Sequence, residues 1–403
     1  MRRHPIPLLC GAAILLAATV ASAATFRVND TSDAVDANPG DGVCATAGGA
    51  CTLRAAVQEA NALAGADRIR VPKGTYTLQI AGRDEDQAAT GDLDVEGRLR
   101  VVGRGAADTI VDGASLDRVF DVQQNARVLF RRLAIRRGKV VENYSGGGID
   151  AAPGSRLTLR RVRVEGNEAF SGGGVATLGT LDMGESTIRD NVAAVGGGLA
   201  VTPDAVIDAS TFAGNTATGS SIFGGQDIVA AGEGTVTIIN STITGEIQGV
   251  AYCDPYPLGC TQGSDFVLRN VTANVLSAKV IEPISVPIEP VVLRAPTFTI
   301  RNTIVGACDA ELLSQGYNFV QPEGCFIAGD LTGVVVGDDP LLGSLKDNGG
   351  PTFTRLPVAV SAAVDGGNPA TPGSGGFACE PFDQRGVPRY LGLGCDIGAT
   401  EAH

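Results

Sequence analysis

Three stretches of one form decide the fold: Gly146-Gly147-Gly148, Gly172-Gly173-Gly174 and Gly196-Gly197-Gly198, each followed by alternating apolar residues and then by Asn167, Asn191 or Asn215. The asparagines recur every 24 residues. A unit that short has no room for a strand, a helix and their loops, and its apolar positions alternate with period two. It cannot bury its apolar side alone, so copies must stack. Aligned at the asparagines, Leu159, Met183 and Ile207 form one column and Val164, Ile188 and Phe212 another, which predicts inward-facing apolar ladders. Arg161 falls over Glu185 and Glu165 over Arg189, as cross-strand ion pairs would. The Asn column predicts amides bonded from layer to layer, at a turn that Asn tolerates in the left-handed region. Glycine triplets suit a sharp bend or a close backbone approach. The expected fold is all-β, a right-handed parallel β-helix solenoid with a short N-terminal capping helix.

Composition agrees. The 403 residues include 55 Gly and no Trp, as in a β protein punctuated by turns. One elongated domain is expected, not two globular ones. The formal charge is −13, which disfavours nucleic acid and anionic membranes as partners.

In chain order, residues 1–23 read as a secretory signal: Arg2 and Arg3, an apolar run from Leu8 to Val20, then Ala21-Ser22-Ala23 as the cleavage site. Cys10 leaves with it. No later run is long enough for a membrane span. The eight remaining cysteines fall as near pairs, Cys44 with Cys51, Cys253 with Cys260, Cys308 with Cys325, and Cys379 with Cys395. Sequential pairing closes short loops and implies an oxidising compartment. Zinc would want close thiol pairs with histidines, and past the signal the only His is His403.

Residues 24–80 form an entry segment. After a strand at Thr25 to Val28 and an Asx-rich stretch, the period turns helical, with Thr52 as N-cap, an apolar face of Leu53, Ala56, Val57, Ala60 and Ala64, and Gly65 as the stop. Such a helix would cover the open end of the solenoid. Rungs occupy residues 81–345, with further strands at Leu99 to Val102, Thr109 to Val111, Val119 to Val122, Val128 to Phe130, Val236 to Ile239, Phe266 to Leu268 and Phe298 to Ile300. Roughly ten rungs about 4.8 Å apart would make a rod on the order of 50 Å long. Two excursions are expected: Tyr252 to Cys260, a stapled loop, and the proline-rich Lys279 to Pro296.

Cys51-Thr52-Leu53-Arg54, with Ala55, Ala56 and Glu59-Ala60-Asn61, resembles the CSLREA motif at the start of bacterial exported β-helix proteins; Thr52 stands for its Ser and Ala55 for its Glu. Val71-Pro72-Lys73-Gly74-Thr75-Tyr76 and Gly91-Asp92-Leu93-Asp94 are similar to that family too. In residues 346–403, Asp347-Asn348-Gly349-Gly350-Pro351-Thr352, Asp365-Gly366-Gly367, Asp383-Gln384-Arg385-Gly386 and Cys395-Asp396-Ile397-Gly398-Ala399 resemble the choice-of-anchor Q module. The repeats between resemble pectate-lyase-like β-helices. The resemblance implies a secreted or cell-surface protein, extracellular or periplasmic. The sequence ends at His403 without an LPxTG signal, an apolar tail or a barrel, so no anchor of those kinds is expected.

Chemistry is sparse. Without histidine, Ser-His-Asp and Cys-His machinery is nearly excluded. Asp92 with Asp94, or Asp338 with Asp339, could supply the acid and base of sugar hydrolysis, though acidic pairs in turns are more often structural. Arg131, Arg132, Arg136, Arg137, Arg160, Arg161 and Arg163 form a basic zone suited to an acidic polysaccharide or to lyase chemistry, against the commoner reading of solvated strand faces with cross-rung pairs. Asp30, Asp33, Asp36, Asn38 and Asp41 offer oxygen ligands to calcium, the one cofactor considered, but miss the EF-hand spacing; an Asx-rich loop without metal is preferred. The expectation is a binding or structural protein for a polysaccharide or a surface protein, with no catalytic residue assigned. A polysaccharide lyase or glycoside hydrolase working in a groove along the rod is the alternative.

Overall fold

The computed structural model describes residues 23–83, 85–140, 144–202, 204–219, 224–254, 259–281, 293–389 and 393–402, without the side chains of residues 253, 254, 259 and 260. The signal segment, the tip of the stapled loop and the proline-rich 282–292 lie outside the described residues. Within them, parallel strands stack into a β-helix. One stack begins at Thr25–Arg27, passes through Arg98–Val102, Arg156–Arg160 and Asp265–Arg269, and ends at Cys325–Asp330. Among the described residues it holds twelve strands: ten lie within residues 81–345, as expected there, and two, Thr25–Arg27 and Ala66–Arg70, lie in the entry segment.

The predicted columns are present. Leu159 pairs with Met183 and Met183 with Ile207, while Val164, Ile188 and Phe212 align in the next stack. All six are buried. Larger rungs fill the interior with rings: Phe120 lies 4.5 Å from Phe130, and Phe266 stacks on Phe298 at 4.6 Å. Lys279 to Ile281 are no excursion, for they continue the strand Thr272–Ile281 beside Val250 to Tyr252.

Asparagines form the expected ladder. Asn167 donates its amide to Asn191 Oδ1 at 2.9 Å, and Asn191 to Asn215 Oδ1 at 3.0 Å. Asp227 ends the run by accepting from Asn215 at 2.7 Å. The left-handed residue is not the asparagine but its predecessor: Gly166, Asp190 and Gly214 carry φ of 63°, 55° and 67°. This corrects the turn expected at Asn. The predecessor absorbs the bend, and the inward Asn side chain is free to bond along the stack. In the triplets the first glycine takes positive φ, and Cβ atoms on Gly147 and Gly173 would meet carbonyls of the next layer at 2.7 and 2.6 Å.

A second ladder was not read from the sequence. Val162, Ser186 and Ser210 N–H groups donate to the hydroxyls of Ser186, Ser210 and Ser241 in the layer above, at 3.1, 3.3 and 3.1 Å. Ser186 and Ser210 lie five residues before their asparagines, so the same alignment contains this column.

The helix spans Leu53–Ala62, with the Thr52 hydroxyl accepting from Ala55 N at 3.1 Å. It stops before Ala64 and Gly65 because Leu63 is already extended. Leu53, Ala56, Val57 and Ala60 join the solenoid core. Its polar side is buried as well. Arg54 pairs with Asp33 at 2.7 Å and donates to the carbonyls of Ala88, Gly91 and Asp92, while Glu59 accepts from Gly40 N and Gln58 from Asp36 N. The helix is thus held between the solenoid and the Asx-rich loop. Three of that loop's carboxylates are spent on nearby backbone, Asp30 accepting from Ser32 N, Asp36 from Asn38 and Ala45 N, and Asp41 from Val43 N, while Asp33 accepts from Arg54 and from Gln79 and Ile80 N.

Three disulfides follow the sequential pairing, Cys44–Cys51, Cys308–Cys325 and Cys379–Cys395. Cys253 and Cys260 face each other in an antiparallel hairpin, with their side chains outside the described set.

Candidate ligand groove and carboxylate cluster

The C-terminal segment does more than close the end of the rod. It turns back and runs along the outside of the rungs. Its berth is a row of corner residues, Asn240, Asn270 and Asn302, with φ of 44°, 51° and 48°. Asn is the residue that accepts that conformation most readily after glycine. Each presents its side-chain oxygen to the returning chain: Asn240 to Arg389 Nη2 at 3.2 Å, Asn270 to Glu380 N at 3.0 Å, and Asn302 to Asn368 N at 2.9 Å. Arg389 is fully buried and pairs with Glu401 at 2.7 Å.

Further along the row the corners are Ala209, Glu185 and Arg161, which lack that amide. The segment still touches the first of these, with the Thr352 hydroxyl donating to the Ala209 carbonyl at 3.3 Å, and alongside these corners a groove of about 1340 Å³ opens. That volume exceeds the usual range of roughly 300–1,000 Å³ for a small-molecule site and suits an extended ligand. One wall is the solenoid, with Arg161, Arg163, Glu185, Thr187, Arg189 and Asp208. The other is the segment, with Thr352, Phe353, Phe382, Gln384 and Arg385. Phe353 and Phe382 are 47% and 52% exposed. Desolvation in the groove, and Glu380 across it, hold the Asp208 carboxyl above the usual range.

Arg161 and Arg163 of the basic zone reach this groove, each tied to an acid. Arg161 pairs with Glu185 at 2.6 Å, Arg163 with Glu165 at 2.9 Å and Arg189 with Glu165 at 2.6 Å. Elsewhere in the zone, Arg136 and Arg137 share Asp112, and Arg160 pairs with Asp182. Arg132 lines the groove and donates to the Arg104 carbonyl. Arg131 is exposed beside it.

Asp338 and Asp339 are exposed, and Asp339 caps a turn by accepting from Leu341 N. Asp92 and Asp94 do come together, with Asp121 as a third member that sequence reading missed. Their carboxylates lie within 4.8 Å of one another. Burial, then the charges of Asp94 and Asp117, push Asp92 up to about 8. Burial likewise raises Asp94 to about 7 and Asp121 to about 6. A carboxylic acid with such a pKa can act as a general acid. The cavity beside the cluster is small, about 130 Å³. Arg118 lies among the carboxylates, hydrogen-bonded to Asp121 at 3.1 Å and to Asp150 at 3.0 Å and ion-paired with Asp92 at 3.1 Å.

Among the described residues no helix is long and apolar enough to cross a membrane. The groove residues Phe353, Phe382 and Gln384 carried no sequence signal beyond their place in the terminal module. No family model, no curated protein and no solved structure matches this chain.

Proposed function

We propose that this chain is an exported, disulfide-stapled β-helix that binds a polysaccharide in the groove between its rungs and its returning C-terminal segment. The observation that carries the reading is the groove itself: about 1340 Å³, lined by both charged side chains and apolar surface, and edged by the half-exposed Phe353 and Phe382. Corner and strand positions repeat along it at about 4.8 Å, so a ligand that itself repeats meets equivalently placed side chains, of differing type, rung after rung. Aromatic faces offer a sugar ring its apolar side, and fixed polar side chains meet its hydroxyls. The signal-like start, the paired cysteines and the resemblance to CSLREA and choice-of-anchor Q proteins support export to the cell surface or beyond. A binding role is preferred to catalysis because Glu185, Asp190, Glu380 and Asp383 of the groove are ion-paired, and the cavity beside the cluster of Asp92, Asp94 and Asp121 is smaller than a usual ligand site.

The test is affinity electrophoresis of the oxidised protein through gels containing a panel of polysaccharides, with the Phe353→Ala/Phe382→Ala double variant alongside and a reducing-end assay on the same panel. Retardation by at least one polymer, lost in the double variant and without turnover, is the expected result. Retardation unchanged in the double variant would move the site elsewhere, and turnover would replace the binding role with an enzymatic one.

A further inference from the structure

Resting on that reading, we propose that the groove is built for an uncharged, hydroxyl-rich polysaccharide and selects against uronates and sulfated chains. The basic zone that the sequence displays as a possible anion site is cancelled in three dimensions. Five arginines line the groove, Arg132, Arg161, Arg163, Arg189 and Arg385, and so do five acids, Glu185, Asp190, Asp208, Glu380 and Asp383. Their net charge is zero. The pairing is also local: besides the solenoid pairs, Arg385 binds Asp383 at 2.7 Å within the opposite wall.

An anion entering here gains little, because four of the five arginines it approaches, all but Arg132, already hold a carboxylate that would repel it. It also approaches a protein of formal charge −13. Sugar hydroxyls face no such cost. Each hydroxyl donates and accepts, a guanidinium has five N–H donors of which one ion pair uses two at most, and a carboxylate keeps spare lone pairs. Ion pairing also fixes these side chains in place, which lowers the entropy lost when a ligand orders them. Phe353 and Phe382 complete the arrangement, since a neutral pyranose can lie face-on to a ring without bringing a charge to its π-cloud.

The experiment is affinity electrophoresis against soluble β-glucan, xylan and mannan on one side, and polygalacturonate and a sulfated glucan on the other, at low and high salt. Retention by a neutral polymer, indifferent to salt and weakened about tenfold by Phe382→Ala, is expected. Glu185→Gln leaves a net positive groove and is expected to create salt-sensitive retention by polygalacturonate. Salt-sensitive binding of the anionic polymers by the unmodified protein, lost in Phe382→Ala, would overturn this inference while leaving the groove as a polysaccharide site. Retention by no polymer would overturn both and point to a protein ligand. Phe382 is half exposed, so its thermal midpoint should match that of the unmodified protein, separating lost binding from lost folding.

Discussion

The hydroxyl of Thr242 donates to the side-chain oxygen of Gln384 at 2.6 Å, across 142 residues of chain. Gln384 Nε2 in turn reaches the Ser210 carbonyl at 3.1 Å and the Thr211 hydroxyl at 2.9 Å. One buried amide thus reads two successive rungs and sets how far the C-terminal segment stands from the solenoid. Gln384→Ala strips the Thr242 hydroxyl of its acceptor and takes one bond each from the Ser210 carbonyl and the Thr211 hydroxyl, which keep Thr242 N and the Phe353 carbonyl. It should cost about 2–3 kcal/mol in urea unfolding and weaken polysaccharide retention together with stability. A stable Gln384→Ala protein with unchanged retention would show that the segment is placed by other contacts.

Asn191 carries a comparable burden inside the solenoid. It accepts from Asn167 N and Nδ2 and donates to the Val164 carbonyl and to Asn215. Asn191→Ala should destabilise the protein by about 3 kcal/mol, since several buried groups lose partners at once. Equilibrium denaturation checks this, and a loss below about 1 kcal/mol would mean that the ladder adds little beyond apolar packing.

Two glycines separate steric from conformational cost. A Cβ on Gly173 would sit 2.4 Å from the Val192 carbonyl oxygen, whereas Gly97, at φ of +61°, has nothing within 4 Å of its position. Gly97→Ala should therefore cost about 1–2 kcal/mol, the penalty of the left-handed region alone. Gly173→Ala should fail to give soluble, cooperatively unfolding protein, which expression and circular dichroism will establish.

The carboxylate cluster fixes a pH dependence. Asp92, Asp94 and Asp121 have folded-state values of about 8, 7 and 6, above their ordinary value of 3.8. Between those limits the folded protein binds more protons than the unfolded chain, so stability falls as pH rises from about 4 to about 8. Asp92→Asn removes the largest of these terms. The thermal midpoint of the variant should drop less between pH 5 and pH 8 than that of the unmodified protein; parallel curves would contradict the assignment.

The disulfides make a prediction about topology. Peptide mapping without reduction should recover Cys253 linked to Cys260 as well as the three bridges described. Replacing Cys308 and Cys325, which close a separation of 17 residues, should cost about 3 kcal/mol by the loop-closure estimate. Crossed linkages would contradict the sequential scheme.

Much of the solenoid was legible because its repeats make separate residues equivalent. Leu159, Met183 and Ile207 could be stacked on paper as they stack in the molecule, and so could the pairs Arg161–Glu185 and Glu165–Arg189. The groove was not legible, for the opposite reason. Gln384 and Thr242 belong to no common repeat, and nothing local distinguishes the corner asparagines Asn240, Asn270 and Asn302 from other turn residues. Asp92 and Asp94 were visible as a pair, but Asp121 joins them from the following layer through the pairing of Leu93–Val95 with Phe120–Val122. The basic zone misled for the same reason: linear sequence gathers the arginines, whereas stacking delivers a carboxylate to most of them.

The central claim is that ligand lies between the solenoid corner and the returning segment, and hydrogen exchange with and without a retained polysaccharide tests it most directly. Protection is predicted in residues 185–190, 208–214, 350–353 and 380–386, the segments that wall the groove. Protection confined to other faces, such as the stack through Val175–Thr177 and Leu199–Val201, would contradict it.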